Sequence, residues 1–348
     1  MINIFNYFLK KRNYPVKCAI SRYYAKKNQY SQIMKRILLS MQITPLPLRF
    51  FTSADYVWLH WYENNGKFAL WFLNRCQRKG KKIIWNVHNK LPHSGKNKEF
   101  AGFLMKHLAQ TSHKIVIHSM MTTDIIKEIS NNDVEILNKI VYVPHPHYID
   151  IYGQKLSNND LNDNILRLCF IGAVKKYKNV DLLISAVNEL GFDDLELNIY
   201  GRCRPKKYAE YLQRLTNGNK NIKLHLKFVR DDELPKIIAD SHLIVLPYNL
   251  DSTLNSGSTI LAFSYGRTVL SPNTGTLSDI DDKSLFFSYT YENETQHKAE
   301  IKRYLTDIKE RYKGNYNDLL ILGEKCKEYV ILHNSYQSVA TQLEQVFK

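Results

Sequence analysis

The chain has 348 residues, of which 44% are hydrophobic and 24% are charged, and its formal net charge is +16. This composition is typical of a globular protein and excludes a disordered chain. No apolar run approaches the ~20 residues of a membrane-spanning helix. The first bases follow the apolar residues 2–9, which is the wrong order for a secretory signal. The five cysteines are scattered without a Cys-x-x-Cys pair, which excludes a disulfide framework and indicates a reducing compartment.

The positive charge is concentrated in the first part of the chain. Residues 1–150 contain 23 Lys and Arg against 8 Asp and Glu, whereas the remaining residues contain 26 and 25. Residues 1–50 alone contain ten bases and no acid. This asymmetry predicts two domains with different roles, of which the first faces an anionic partner.

From residue 54 onward, apolar strand-like runs alternate with segments of helical spacing. The predicted strands of the first half are 56–61, 82–87, 114–118 and 140–143, and the helices between them are 67–77, 99–110 and 122–130. The polar, asparagine-rich residues 153–164 are the predicted linker. Strands that alternate with helices imply parallel sheets with helical crossovers.

The same alternation restarts after the linker. The predicted strands are 166–171, 195–200, 222–228, 242–247 and 268–271. The predicted helices are 180–190, 207–217, 231–240, 258–265, 295–312 and 316–333, with a last one near residue 340. The predicted fold class is therefore α/β, with two Rossmann-like doubly wound domains. Residues 1–155 form the basic first domain and 156–335 the second, and the terminal helix at 336–348 can pack back on the first.

Three strand-to-helix junctions of the second domain suit an anion, because ligands of open parallel sheets bind at the carboxyl ends of strands. They are a glycine followed by lysines, a serine-rich turn that opens a helix, and a Gly-Arg-Cys-Arg run. A solvated lysine loop and simple helix capping by serine are the ordinary alternatives. Neither the dinucleotide fingerprint nor the P-loop string is present. The candidate binding residues are Gly172, Lys175, Lys178, Arg202, Tyr248, Ser256, Gly257, Ser258 and Thr259.

Residues 165–280 resemble the GT-B glycosyltransferases of the bacterial polysaccharide-assembly type. In this respect they are similar to the glycosyl transferases of group 1. The resemblance is carried by FIGAVKKYKNVDLLISAV, NIYGRC, HLIVLPYN, the serine-rich turn and SYGRTVLSPNTG, in this order. A weaker resemblance covers residues 55–119. It implies two domains that face each other across a cleft, with the nucleotide-sugar donor in the second and a glycan acceptor in the first.

The resemblance also implies roles for single residues, with two departures from the family pattern. The family's phosphate-binding lysine falls on Lys178, whereas its usual arginine falls on Ala173. The usual paired glutamates fall on Thr253 and Leu261, neither of which is acidic. The donor sugar must therefore be held by other groups, and the retaining or inverting outcome stays open.

Histidines near the ends of the predicted strands are the candidate catalytic bases, because a neutral imidazole can accept the proton of an acceptor hydroxyl. They are His60, His88, His93 and His118. His88 and His93 bracket a loop at a strand end and are the predicted catalytic pair, although a buried structural histidine is the ordinary alternative. Asp55 and Glu63 are the nearest carboxylate candidates. The pair in 145–147 (HPH) is predicted to be a structural feature beside the hinge.

The sequence thus predicts a metal-independent glycosyltransferase of cell-surface polysaccharide biosynthesis, with no cofactor and no metal site. Its partners would be a nucleotide-sugar donor, a glycan acceptor on a polyprenyl diphosphate and an anionic membrane surface. The predicted location is cytoplasmic, on the inner face of the plasma membrane. Two alternatives remain open: another GT-B sugar-nucleotide enzyme such as an epimerase, and a non-catalytic α/β protein that binds nucleic acid.

Overall fold

The computed structural model describes residues 55–60, 66–88, 98–154, 161, 163–216 and 218–348. These residues form two compact units. Unit 1 comprises the described residues up to Ile117, with Thr123–Val143 and Ala340–Lys348. Unit 2 comprises His118–Thr122 and Pro144–Val339.

The chain enters unit 2 after residue 143, before the boundary at 155 that the sequence suggested. The reason is local packing, since the segment that follows residue 143 bonds to unit 2. Tyr148 donates its backbone N–H to the Ser264 hydroxyl at 2.8 Å, and Asn334 donates its side-chain amide to the His145 carbonyl at 2.7 Å. The polar residues 153–164 therefore follow a segment that already belongs to unit 2.

Unit 1 is built on a four-stranded parallel sheet in the order β1-β2-β3-β4. The strands are β1 (Tyr56–His60), β2 (Lys82–Asn86), β3 (Lys114–Ile117) and β4 (Ile140–Tyr142). The helices are α1 (Gly66–Arg78), α2 (Lys98–Thr111), α3 (Met121–Ser130) and the short α4 (Val134–Leu137). The end of the chain returns to this unit, where Tyr56 donates its hydroxyl to the Phe347 carbonyl at 2.9 Å.

Unit 2 has a six-stranded parallel sheet in the order β10-β9-β8-β5-β6-β7. The strands are β5 (Leu166–Ile171), β6 (Leu195–Tyr200), β7 (Ile222–His225), β8 (Leu243–Val245), β9 (Thr268–Pro272) and β10 (Phe287–Tyr289). The helices are α5 (Val180–Leu190), α6 (Lys206–Leu215), α7 (Leu234–Ala239), α8 (Gly257–Ser264), α9 (Gly275–Ser278), α10 (Glu294–Gly314) and α11 (Asp318–His333). The last helix, α12 (Tyr336–Glu344), begins in unit 2 and ends in unit 1. The predicted α/β class with parallel sheets is confirmed.

The strand order of unit 2 places its ligand-binding edge. From β5 the sheet grows through β6 to β7 on one side, and β8 then lies on the other side of β5. The carboxyl ends of β5 and β8 therefore lie at the point where the direction of winding reverses, which is where open α/β sheets bind ligands. Residues Leu168, Cys169, Phe170 and Ile171 of β5 are apolar and buried, as expected for a strand covered on both faces, whereas Arg167 is half-buried.

Among the described residues, no helix is both long and apolar enough to cross a bilayer.

Candidate functional site

The loops that follow β5 and β6 run side by side because a glycine comes directly after each strand. Gly172 and Gly201 have φ angles of 141° and 149°, a region that glycine adopts without strain. A Cβ on Gly201 would lie 1.7 Å from the carbonyl oxygen of Gly172, so no other residue fits there. Beyond the glycines, Val174 donates its N–H to the Arg202 carbonyl at 3.1 Å. This brings the predicted residue Arg202, whose side chain is exposed, beside the loop after β5.

Lys178 lies where the loop after β5 meets the loop after β8. Its Nζ is 4.0 Å from the centre of the Tyr248 ring. A Cβ on Gly172 would lie 3.9 Å from Lys178 Nζ and 3.7 Å from Ser258 Oγ. The structure therefore brings together four residues from three separate segments of the sequence: Gly172, Lys178, Tyr248 and Ser258.

The three lysines of the loop after β5 differ in their partners. Lys176 forms an ion pair with the buried Asp181. Lys175 is exposed, and its Nζ lies 5.5 Å from the centre of the Tyr177 ring. Lys178 forms no ion pair with any residue that the structure describes. Two of the three positive charges are thus available to an anion, and they are the two that the sequence selected.

The serine-rich turn divides into two pairs of residues with different roles. Ser256 is the N-cap of α8, and its Oγ accepts the N–H of Thr259 at 3.1 Å and the Thr259 hydroxyl at 2.9 Å. Both side chains are buried, and their hydroxyls fix the start of the helix. Gly257 and Ser258 are half-buried. Their amides belong to the first turn, which has no intrahelical acceptors, and they are the donors that α8 offers to an anion.

His145 and Tyr148 pack against the start of α8, a contact that the sequence analysis did not foresee. A Cβ on Gly257 would lie 3.1 Å from the Tyr148 hydroxyl and 3.3 Å from His145 Nε2. Burial lowers the pKa of His145 to about 3, so the ring is neutral at pH 7. Its Nδ1 donates to the Pro146 carbonyl at 2.9 Å, and Nε2 accepts the Tyr148 hydroxyl at 3.1 Å. The one sequence signal for this contact is the position of PHPHY directly after β4.

A second segment of unit 2 lies beside the same turn. A Cβ on Gly275 would lie 2.3 Å from Ser119 Oγ and 2.6 Å from the Leu254 carbonyl oxygen. The Asp279 carboxylate accepts the N–H of Met120 at 3.0 Å and 3.2 Å. These contacts hold residues 118–120 against α9 and place the buried His118 ring 6.4 Å from the ring of His145.

Several buried polar atoms of the loop after β8 have no hydrogen-bond partner among the residues that the structure describes. They are the Tyr248 hydroxyl, the Thr253 hydroxyl and both side-chain atoms of the Asn255 amide, together with the Thr274 hydroxyl at the start of α9. Each such group costs roughly 1–3 kcal/mol when it stays unsatisfied, so native proteins keep few of them outside binding sites. Thr253 is the position of the first family glutamate. Leu261, at the second, is half-buried and offers no polar group.

Of the two predicted catalytic histidines, only His88 lies in the described residues, and it belongs to unit 1. His88 is 7% exposed, and its Nε2 lies 2.9 Å from His60 Nδ1 and 3.0 Å from Asn86 Nδ2. His88 is therefore a buried histidine whose Nε2 already has hydrogen-bond partners. His93 and Glu63 lie outside the described residues, and Asp55 is exposed at the start of β1.

The described residues contain no cluster of three or more His, Cys, Asp or Glu side chains that could hold a metal ion.

The comparisons with known proteins agree with this geometry. Residues 166–307 match the family model of Glycosyl transferases group 1. A GDP-mannose:glycolipid 4-beta-D-mannosyltransferase of Xanthomonas campestris pv. campestris is 24% identical over 205 residues, which are 59% of this chain and 54% of that protein. The match thus spans about half the length of this curated relative.

Solved structures resemble the chain over more of its length. Anabaena Alr3699/HepE in complex with UDP and glucose has a TM-score of 0.70 at 12% identity, over 88% of this chain and 82% of that one. A glycosyltransferase from Rickettsia africae has a TM-score of 0.63 at 15% identity, over 90% and 79%. Sucrose-phosphate synthase from Thermosynechococcus elongatus has a TM-score of 0.63 at 12% identity, over 84% and 73%. These likenesses show the fold. We name residues 166–307 the group 1 domain after the family model that they match, and the chain that carries them has the two-unit α/β fold of GT-B glycosyltransferases.

Proposed function

We propose that this protein transfers a sugar from a nucleotide-sugar to a glycan acceptor on a lipid carrier. The observation that carries the proposal is the convergence of Gly172, Lys178, Tyr248 and Ser258 at the switch point of the group 1 domain. Relatives of this domain support it, because one is a GDP-mannose:glycolipid mannosyltransferase and another was solved with UDP and glucose.

The donor diphosphate would lie between Lys178 and the first turn of α8. Gly172 leaves room for the phosphates, and the amides of Gly257 and Ser258 with the Ser258 hydroxyl donate hydrogen bonds to them. Lys175 and Arg202 add positive charge from the loops after β5 and β6. In the reaction the bond from the anomeric carbon to the diphosphate oxygen breaks, a bond to the acceptor oxygen forms, and the nucleoside diphosphate leaves. The charge that develops on it is balanced by fixed ammonium groups and helix amides, which is why we expect no requirement for a metal ion.

The sugar of the donor would be held by neutral groups. Thr253 and Asn255 carry buried polar atoms that have no partner in the described residues, at and beside the position where relatives carry a glutamate. An amide can both donate and accept, as sugar hydroxyls do. Thr253 and Asn255 would bind the sugar hydroxyls without the help of a carboxylate.

The catalytic base would come from the histidines of unit 1, with His93 the first candidate and His88 the second. His88 Nε2 already bonds to His60 and Asn86, so it would have to exchange one of these bonds to accept a proton from the acceptor. A neutral imidazole suits this step near pH 7.

The acceptor would be a glycan on a polyprenyl diphosphate, reached at the inner face of the plasma membrane. The ten bases without an acid in residues 1–50 support this part of the proposal, since each base close to an anionic lipid surface contributes ~1 kcal/mol.

A calorimetric screen of UDP- and GDP-sugars against the purified full chain tests the proposed function. We expect saturable binding of at least one nucleotide-sugar, and release of the nucleoside diphosphate when a polyprenyl-diphosphate glycan is added. EDTA should leave the rate unchanged. If no nucleotide-sugar binds while RNA or DNA binds tightly at the same salt, the proposal fails and the nucleic-acid alternative replaces it.

A further inference from the structure

The near-zero charge of the second half of the chain conceals a strong local asymmetry. Residues 202–230 contain nine Lys and Arg and a single acid, Glu210. The other residues from 151 to the end contain 17 bases and 24 acids. A net charge of +8 over 29 residues therefore stands against −7 over the rest. A uniform preference for lysine in the sequence would not produce this contrast.

The basic residues lie at one edge of the unit 2 sheet. β7 is the terminal strand in the order β10-β9-β8-β5-β6-β7, and α6 is the helix that connects β6 to β7. We name residues 202–230 the edge surface. Lys207, Tyr211 and Arg214 are exposed and spaced i, i+4 and i+7, so they share one face of α6. Lys220 and Lys227 are exposed on either side of β7.

Most of this charge is not neutralised by neighbours. Three of the nine bases form ion pairs, and these pairs are Lys206 with Glu210, Lys223 with Glu196 and Arg230 with Asp232. The other six make no ion pair with any residue that the structure describes. One of the six, Arg202, belongs to the proposed donor site. A single diphosphate takes two or three such groups, so the remaining bases fit an extended anionic partner.

Two exposed aromatic side chains lie among these bases. Phe228 is 66% exposed and Tyr211 is 40% exposed. The side chain of Phe228 is not packed inside unit 2, and it has no polar atom that could bond to water. Neither packing nor hydrogen bonding therefore explains its exposure. Aromatic side chains next to lysines and arginines are typical of surfaces that lie in the interface of a bilayer, where the ring enters the acyl boundary and the charges meet lipid phosphates.

We propose that the edge surface docks on an anionic lipid bilayer. The bases supply long-range attraction to the lipid phosphates, and Phe228 enters the interface once the surface is close. The choice of a bilayer over another polyanion rests on the proposed function, because a lipid-linked acceptor brings the protein to a membrane. This membrane contact is separate from the basic residues 1–50 and lies on the unit that carries the group 1 domain.

The test uses the full chain and sedimentation with vesicles of phosphatidylcholine and phosphatidylglycerol at 70:30. One variant removes four exposed, unpaired bases of the edge surface that lie outside the proposed donor site: Lys207→Ser, Arg214→Ser, Lys220→Ser and Lys227→Ser. The control removes four exposed bases elsewhere in unit 2: Lys236→Ser, Lys283→Ser, Lys313→Ser and Lys325→Ser. Lys236 and Lys313 form ion pairs, so the control matches the edge variant in the number of charges removed and not in their pairing. Both variants lose the same charge and keep residues 1–50. Thermal unfolding of each checks that it is folded.

We expect the edge variant to lower the partition coefficient on anionic vesicles at least tenfold, and the control to lower it by no more than twofold. Phe228→Ser should weaken binding severalfold without changing its dependence on salt, because it removes no charge. Equal losses in the edge variant and the control would overturn the proposal. It would also be overturned if the edge variant lost affinity for a 20-nucleotide RNA but kept its affinity for vesicles.

Nucleotide-sugar calorimetry on the same proteins separates this proposal from the proposed function. If the edge variant binds the donor normally but has lost its affinity for the vesicles, both proposals are supported. If the native chain binds no nucleotide-sugar but the edge variant has lost its affinity for the vesicles, the proposed function fails and the membrane role of the edge surface is supported. If the edge variant binds the donor and keeps its affinity for the vesicles, only the membrane role of the edge surface is overturned.

Discussion

Lys178 is the residue on which the donor-site proposal depends most. Its ammonium lies over the Tyr248 ring and near Gly172, without a carboxylate partner among the described residues. We expect Lys178→Ala to raise the dissociation constant of the nucleotide-sugar about tenfold or more, because a hydrogen bond to a charged group contributes about 1.5–3 kcal/mol. Lys325→Ala, which removes an exposed lysine elsewhere in unit 2, is the control. Calorimetry that finds the same affinity for both variants would remove Lys178 from the site.

Gly257 tests whether the start of α8 is open to a ligand. A Cβ there would meet the Tyr148 hydroxyl at 3.1 Å and His145 Nε2 at 3.3 Å. Gly257→Val should therefore abolish turnover, because its branched side chain collides with Tyr148 and His145 and displaces the first turn of α8, whose amides the proposal assigns to the phosphates. Gly257→Ala requires a shift of only a few tenths of an ångström. Steady-state kinetics and thermal unfolding of both variants separate loss of the site from loss of the fold.

The double variant Gly257→Ala with Tyr148→Phe is the internal control for that contact. Removing the hydroxyl makes room for the added Cβ, so donor affinity should recover part of what Gly257→Ala loses. A Gly257→Val variant with unchanged kinetics would show that the turn only caps the helix.

At the scale of elements, the two strand-ending glycines fix the loops that carry the site. Gly201→Ala places a Cβ 1.7 Å from the Gly172 carbonyl oxygen at a φ of 149°. Overpacking against backbone typically costs about 1–3 kcal/mol and occasionally more, so this variant should unfold at a much lower urea concentration or fail to fold. Gly102→Ala in α2, where a Cβ meets nothing within 4 Å, should instead stabilise by roughly 0.5–1 kcal/mol. Equal urea midpoints for the two would contradict the contact.

The sequence predicted the long elements because their periodicity is strong, and it also predicted the three-residue strands β4 and β8, which lie in apolar runs. It missed β10 and α9, which have three and four residues with polar positions among them, too few for a pattern of apolar positions to stand out. The predicted strand 222–228 ends at His225, where Lys227 turns back to donate its N–H to the His225 carbonyl at 2.9 Å. Such local turns depend on contacts that no spacing rule encodes.

The site was predictable where one strand end determines it and unpredictable where two distant segments meet. Gly172 and Lys178 follow β5 directly, and their spacing alone indicates an anion site. Ser256 could be read as a ligand or as a cap, since one hydroxyl serves either role, and only the bonds to Thr259 decide for the cap. The contact of His145 with Gly257 joins residues more than a hundred positions apart, and its discovery required the structure.

At the scale of the whole molecule, three buried histidines make unit 2 sensitive to acid. Burial lowers the pKa of His145 to about 3 and the pKa values of His242 and His297 to about 4. The unfolded chain binds a proton at each near pH 6.5, whereas the folded chain does not until the pH is much lower. Stability is therefore full above pH 6.5 and falls as the pH drops from 6.5 towards 4.

We expect these three histidines to decrease the free energy of unfolding by about 4 kcal/mol between pH 7.5 and 5.5, since each contributes about 1.4 kcal/mol for the one pH unit that lies below its unfolded pKa of about 6.5. Urea unfolding at the two pH values measures it. His297→Gln should remove about a third of the decrease, whereas His333→Gln, at an exposed position, should leave it unchanged. A decrease that His297→Gln does not alter would mean that this imidazole is not the buried neutral group that the structure shows.

The net charge of +16 belongs mostly to residues 1–50, and its role is testable without knowledge of how these residues fold. Replacing Lys10, Lys11, Arg12, Lys26 and Lys27 by serine should weaken binding to anionic vesicles, to which the edge surface still contributes, and should spare nucleotide-sugar binding, which the proposal assigns to unit 2. Because attraction between exposed charges is screened beyond ~10 Å at 0.1 M salt, binding of the native chain should weaken steeply as salt rises, and neutral vesicles should bind poorly. Vesicle sedimentation across a salt series measures both effects. A five-base variant that stays on the vesicles at every salt concentration would show that residues 1–50 do not hold the protein at the membrane.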